Sequence, residues 1–116
     1  MTRFALAAAA AAALVLPAAA PAAPATRLVA TVGPGSNITL TKAGKKVTRL
    51  RPGAYRITVR DRSRSHNFAL SGPRLHRSTT VSFSGTRTWN VTLRRGKHTY
   101  VCTPHASFMR GTFVVR

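Results

Sequence analysis

The stretch GKHTYVCTPHASFMRGTFVV, residues 96–115, contains two strand-like runs that are joined by a short loop. The first run leads directly into Cys102, and the second begins shortly after Met109. The loop holds the only cysteine of the chain, His105 and one of the two methionines within eight residues. A loop of this length between two strands can bring all three side chains around a single point.

The rest of the chain alternates between apolar and polar residues with a period of two, and no long helical period follows residue 25. This alternation is typical of half-buried strands. The apolar residues that should face inward are Leu28, Ala30, Val32, Ile38, Leu40, Tyr55, Ile57, Val59, Trp89, Val91 and Leu93. Turns rich in Gly and Pro separate the runs. Several short strands at this spacing predict an all-β sandwich or barrel.

A fourth side chain of the same chemistry lies upstream, where His66 follows another strand-like run. Together with Cys102, His105 and Met109 it offers a thiolate, two imidazoles and a thioether. Such a set suits one copper ion that cycles between Cu(I) and Cu(II), and a trigonal His₂Cys plane with a weak axial Met is typical of blue-copper sites. The alternative is that these residues form an unliganded part of the core, because a lone cysteine is usually a small buried hydrophobe.

The segments around these four side chains resemble the plastocyanin/azurin-like cupredoxins, which are small type 1 blue copper proteins. The resemblance covers residues 50–115 and rests on the segments HNF (66–68), WNVTL (89–93), GKHTYVCTPH (96–105) and MRGTF (109–113). It implies a Greek-key β-sandwich of about seven to eight strands that acts in outer-sphere electron transfer. The metal ligands it implies are His66, Cys102, His105 and Met109.

The resemblance also assigns roles to residues next to the ligands. Asn67 matches an asparagine that ties the two ligand loops together, with hydrogen bonds toward Thr103 and the Cys102 sulfur. The histidine that matches His105 reaches the protein surface within an apolar patch. The axial position of Met109 is the most variable of the four, since the spacing between the cysteine and the methionine differs within the family.

The remaining histidines and the single acid lack this context. His76 lies in a basic loop and is predicted at the surface. His98 shares strand parity with Tyr100 and Cys102, so we expect it to be partly buried and outside the metal site. Asp61 is expected to accept hydrogen bonds in the turn that it begins.

The N-terminus has the pattern of a secretory signal peptide. Arg3 supplies a positive charge, residues 4–16 are apolar, and Ala25 ends a site of small residues suited to cleavage. We therefore predict a signal peptide at 1–25. An uncleaved N-terminal anchor is the alternative, although prolines and a composition dominated by alanine disfavour a stable membrane span.

Cleavage after residue 25 leaves one cupredoxin-like domain at 26–116, which we expect to be exported to the periplasm, the exterior or the cell surface. With one cysteine it has no internal disulfide and no binuclear copper centre bridged by two thiolates. Four histidines are too few for a multicopper oxidase, and a single acid excludes a catalytic carboxylate pair. We therefore predict that the protein is not an enzyme.

The charge is extreme, with nineteen Lys and Arg residues against one acid. Without Arg3, eighteen basic residues remain and the net charge is +17. Export and the absence of an RNA-binding motif argue against a nucleic-acid partner. The charge indicates an acidic redox partner, or an anionic polymer or lipid at the cell surface. The simpler interpretation is a solvated, arginine-rich surface.

Three functions remain open from the sequence. The first is a monomeric, exported one-electron carrier with one copper ion. The second is an extracytoplasmic protein that binds or delivers copper through the same four ligands. The third is a metal-free β-sandwich that binds anionic surfaces through its charge.

Overall fold

The structure, a computed structural model, describes residues 5, 8–16 and 24–116. Most of the predicted signal peptide, with Arg3, lies outside the described residues. Residues 8–16 are exposed and have no regular secondary structure. Within the described part of the chain, no helix is long and apolar enough to cross a membrane.

Ten strands and one short helix form the domain. The strands are β1 (Thr26–Val32), β2 (Ile38–Lys42), β3 (Lys45–Lys46), β4 (Arg49–Leu50), β5 (Gly53–Asp61), β6 (Ala69–Gly72), β7 (Leu75–Ser78), β8 (Gly85–Leu93), β9 (Gly96–Val101) and β10 (Arg110–Val115). A single 3₁₀ turn covers Thr103–His105. Eight of the strands have four residues or more, and these correspond to the seven to eight predicted from the sequence.

The strands form two five-stranded sheets that pack on each other. The first sheet has the order β3-β2-β1-β5-β8, and the second has the order β4-β10-β9-β6-β7. All pairs are antiparallel except β1 with β5 and β10 with β4, which are parallel. One hydrophobic core contains residues of both sheets, so the predicted all-β sandwich is confirmed.

The predicted alternation decides which face of each strand enters this core. Tyr55, Ile57 and Val59 of β5 are buried, whereas Arg56 and Arg60 are exposed. The same holds for the apolar positions of β1 and β8. Because side chains of a strand point alternately to opposite faces, this pattern sets the register of each strand against the core.

Tyr100 crosses the backbone of the neighbouring strand at Gly111, its partner in the β9–β10 ladder. A Cβ atom at residue 111 would overlap the Tyr100 ring and hydroxyl, so only glycine fits there. The ring also stacks on Phe68 at a centroid distance of 5.4 Å. Burial raises the pKa of the Tyr100 phenol, while its hydrogen bond to the Leu40 backbone lowers it.

His98 is part of the core. Its exposed fraction is 0%, so it lies deeper than the partial burial predicted from the sequence. Its ring stacks on Phe113 at 5.0 Å and packs against the backbone of Gly72. The Nδ1–H group donates to the Gly96 carbonyl at 3.1 Å, and burial lowers the pKa of the imidazole. His76 is exposed, as predicted.

The end of β5 leads the chain toward the candidate site. The Asp61 side chain is 2% exposed and its Oδ1 accepts the Ser63 amide at 2.9 Å, which forms the predicted turn. Burial raises the pKa of this carboxyl group, and the Ser63 hydrogen bond partly opposes that shift. The turn redirects the chain from the first sheet across to the second, and His66 lies in this connection.

Candidate metal centre

The loop from Cys102 to Met109 is closed by its own backbone. The His105 amide donates to the Cys102 carbonyl at 3.0 Å, and Pro104 lies in this 3₁₀ turn. The Met109 amide donates to the His105 carbonyl at 2.9 Å, and the Cys102 amide donates to the Met109 carbonyl at 3.0 Å. These bonds hold the main chains of all three candidate ligands in this loop against one another.

Asn67 joins this loop to the loop that carries His66. Its Oδ1 accepts the Thr103 amide at 2.7 Å, and its Nδ2 donates to Thr103 Oγ1 at 3.0 Å and to the Thr79 carbonyl at 3.1 Å. The predicted link to Thr103 is therefore present. The predicted bond to the Cys102 sulfur is not among the Asn67 contacts within residues 24–116, where the side-chain amide bonds Thr103, Thr79 and, at 3.5 Å, Ser78.

Three donor atoms converge between the two loops. Nδ1 of His66 lies 3.0 Å from Nδ1 of His105, and the Cys102 Sγ lies 3.6 Å and 3.5 Å from these two nitrogens. The two rings meet edge to face, with centroids 4.8 Å apart. Each of these atoms can present a lone pair to the same point, which is the arrangement that a cation requires.

The size of this triangle fits one metal ion. A point equidistant from the three atoms lies about 2.0 Å from each, which compares with typical metal–imidazole and metal–thiolate bonds of about 2.0–2.1 Å and about 2.3 Å for zinc. The donor types then distinguish between metals. Two imidazoles and one thiolate in a trigonal arrangement are the donor set of a copper electron-transfer site.

Burial separates a sheltered and an accessible side of this centre. The Cys102 side chain is 0% exposed, and those of Met109 and His66 are 1% and 6% exposed. His105 is half-buried, and its ring packs at 5.4 Å on Phe108, which is 62% exposed. His105 therefore reaches the surface beside an exposed aromatic ring, as the apolar-patch prediction requires.

The four predicted ligands thus fall into two groups. The structure brings together the donor atoms of His66, Cys102 and His105. Met109 is buried at the end of the same loop, with its main chain bonded to Cys102 and His105. Its role as an axial ligand stays a prediction.

Thr79 is a supporting residue that the sequence analysis missed. It is buried, and its Oγ1 accepts the Phe68 amide at 3.0 Å while its carbonyl accepts the Asn67 amide group. It holds the His66 loop from the side opposite Thr103. Because Thr79 lies in an irregular segment after β7, neither strand periodicity nor a motif indicates this role.

Replacing Asn67 with alanine should loosen the link between the two loops. The variant would lose the bonds of Asn67 to the Thr103 amide and to the Thr79 carbonyl, and at about 0.5–1.5 kcal/mol per hydrogen bond these two contribute about 1–3 kcal/mol. We expect the free energy of unfolding of the metal-free protein to fall by about that amount in urea titrations. The matched control is Asn90→Ala, which removes an exposed asparagine from β8 and should change stability by less than about 0.5 kcal/mol. Equal losses in the two variants would contradict the bridging role.

Solved structures of copper proteins are similar to this chain. The copper protein rusticyanin matches with a TM-score of 0.59 and 19% identity, covering 78% of this chain and 76% of that one. Rusticyanin from Thiobacillus ferrooxidans matches with 0.55 and 23%, covering 78% and 76%. An oxidized amicyanin variant matches with 0.51 and 19%, covering 77% and 81%. No protein-family model and no curated protein sequence matches the chain. Rusticyanin and amicyanin are cupredoxins, so the chain has the cupredoxin fold.

Proposed function

We propose that this protein is an exported, monomeric electron carrier that holds one type 1 copper ion. The observation that carries the proposal is the convergence of His66 Nδ1, His105 Nδ1 and Cys102 Sγ within 3.6 Å of one another. The likeness to rusticyanin and amicyanin supports it, because this chain shares its fold with them. The predicted signal peptide supports export.

Some residues of the site are proposed to bind the metal, and others to position the ligands. His66, Cys102 and His105 would hold the metal, and Met109 is proposed as a fourth, weaker ligand. Copper bound there supplies a one-electron couple between Cu(I) and Cu(II). Asn67 and Thr79 keep the two loops at a constant separation, so the ligand atoms need little rearrangement when the charge of the site changes.

Electron transfer fits this site better than copper delivery or an enzymatic role. A delivery protein must release its ion readily, whereas Cys102 and His66 are buried and the Cys102 backbone is held by bonds within its loop. An enzyme needs an open coordination position for its substrate. Two histidines, a thiolate and a thioether would leave no such position.

The direct test is a titration of the purified metal-free protein with Cu(II), followed by visible absorption and electron paramagnetic resonance. We expect an intense blue band that saturates at one equivalent. A weak, tetragonal-type spectrum would contradict the assignment. Voltammetry should give a reversible one-electron couple, whereas rapid loss of Cu(I) to a competing metal-free acceptor would favour delivery.

Electrons should enter and leave through His105, because its half-buried ring lies in the apolar rim formed with Pro104 and Phe108. We expect Ala106→Glu to slow self-exchange about tenfold, since about 1.4 kcal/mol lost in docking corresponds to that factor. The absorption spectrum should not change. The rate is measured by NMR line broadening in mixtures of oxidized and reduced protein.

The control for this prediction is Ala54→Glu, which introduces the same charge at an exposed position of β5. Both variants lower the net charge equally. Any faster encounter that results from weaker repulsion between two copies of the protein is therefore the same in both. A self-exchange rate that is equal in the two variants would place the exit route elsewhere.

The physiological redox partner, or the surface that retains the protein, is proposed to be acidic. A net charge of +17 raises encounter rates with negative surfaces. Arg64, Arg74, Arg77 and Arg110 are all exposed and are proposed as steering charges. We expect association with an acidic redox protein to slow as the salt concentration rises, because added ions screen the attraction. At an ionic strength of about 0.15 M the Debye length is already about 8 Å. Stopped-flow rates that are flat with salt, or faster with a basic redox protein, would contradict the prediction.

A further inference from the structure

The outer face of the first sheet holds two arginines in direct opposition. Arg27 of β1 and Arg56 of β5 are partners in the parallel ladder, and both are exposed. Their neighbours Leu28 and Ile57 point into the core, so the two arginines lie on the solvent side of the same sheet. Adjacent strands are about 4.8 Å apart, which brings these two cations close together.

No acid of this protein can neutralise the pair. Asp61 is the only acidic residue, and it is buried at the far end of β5. It lies five residues from Arg56, which is about 16 Å along a strand at about 3.3 Å per residue. Like charges directly opposite each other in a sheet are destabilising, and one anion between them would remove that repulsion.

The two arginines also line a recess together with Thr58. Its volume is about 170 Å³, and among the described residues these three line it. At about 30 Å³ per water molecule, it has room for an ion with five heavy atoms. Guanidinium groups bind phosphate oxygens through paired, charge-assisted hydrogen bonds, and the threonine adds a hydroxyl donor.

We propose that Arg27, Arg56 and Thr58 form a binding site for a phosphate group, either free phosphate or a phosphate of an anionic polymer. The site lies on the outer face of the first sheet. His105 lies with His66 at the end of the sandwich beyond Asp61, the last residue of β5. An anion can therefore be held here while the His105 end stays accessible.

The test is the binding of inorganic phosphate to the purified full chain, followed by NMR titration at an ionic strength held constant with chloride. We expect Arg27→Gln/Arg56→Gln to raise the dissociation constant about tenfold or more, because both paired donors are lost. The control is Arg94→Gln/Arg95→Gln, which removes two exposed arginines from the β8–β9 turn and leaves the same net charge. It should weaken binding less than about twofold, since it changes only the overall field.

A parallel titration with long-chain polyphosphate at the same phosphate concentration identifies the source. Tighter binding of the polymer than of phosphate, lost in the Arg27/Arg56 variant, assigns the site to a polymer. Equal affinity per phosphate assigns it to free phosphate. No measurable binding of either phosphate or polyphosphate, or equal weakening in both double variants, would overturn the proposal and leave only non-specific attraction by the net charge.

Discussion

Replacing Cys102 with serine is expected to abolish the intense visible absorption of the copper-loaded protein. That band arises from charge transfer between a thiolate and Cu(II), and Cys102 is the only cysteine of the chain. A serine hydroxyl is a hard donor that does not replace the soft thiolate at this position. The measurement is the absorption spectrum of each variant after addition of one equivalent of Cu(II).

Two further variants separate the roles of the other proposed ligands. Met109→Leu keeps a buried apolar side chain of similar size, so we expect it to retain copper and the blue colour while the reduction potential shifts. His66→Ala removes one of the two proposed imidazole ligands and should weaken copper binding or admit water. Equal and complete loss of copper in both variants would show that this division of roles is wrong, and a blue Cys102→Ser protein would refute the thiolate assignment.

Replacing Gly111 with alanine is expected to lower the free energy of unfolding by about 3 kcal/mol, the upper part of the range for overpacked cores. A Cβ atom at residue 111 would overlap the Tyr100 ring, which is fixed between Phe68 and the backbone of β10. The ring has no space into which to move, because it is 1% exposed and belongs to the close-packed core. Urea unfolding of the metal-free variant measures this loss.

Gly35→Ala is the matched control, because no described atom beyond its two chain neighbours lies within 4 Å of a Cβ at residue 35. It should change stability by less than about 0.5 kcal/mol. When Tyr100→Leu is combined with Gly111→Ala, the loss should be smaller than the sum of the two single losses, since the shorter side chain removes the overlap, and a double-mutant cycle measures that coupling. Additive losses in the cycle would mean that the two residues do not compete for the same space.

The surface of the protein divides into regions of different chemistry. The loop end presents Pro104, His105 and Phe108, which suit brief contact with a redox partner because little charge has to be desolvated. The basic residues are distributed over the rest of the surface and include two opposed pairs, Lys42 with Lys45 and Arg27 with Arg56, of which we propose that the second binds phosphate. Substitutions of the other basic residues should therefore change how association rates depend on salt, whereas substitutions of Arg27 and Arg56 should change phosphate binding.

Much of the site could be predicted because three of its proposed ligands are close in sequence. Cys102, His105 and Met109 lie within one loop, and the backbone bonds that close such a loop are local. The alternation of apolar residues likewise predicted the buried faces of β1, β5 and β8. His98 shows the limit of this reasoning, since parity indicated its face while its complete burial depends on the backbone of Gly72 in a neighbouring strand.

The sequence by itself thus determined the strand faces and the ligand loop, because both follow from spacing along the chain. The tertiary structure decided what joins them. His66 meets His105 across 39 residues, and Asn67 bonds Thr103 across 36, so both contacts depend on the antiparallel pairing of β6 with β9, which brings the segment before β6 next to the loop after β9. The close approach of Tyr100 to Gly111 and the opposition of Arg27 and Arg56 depend in the same way on strand register. Register is set by the burial of whole strands in a common core, and no local segment contains that information.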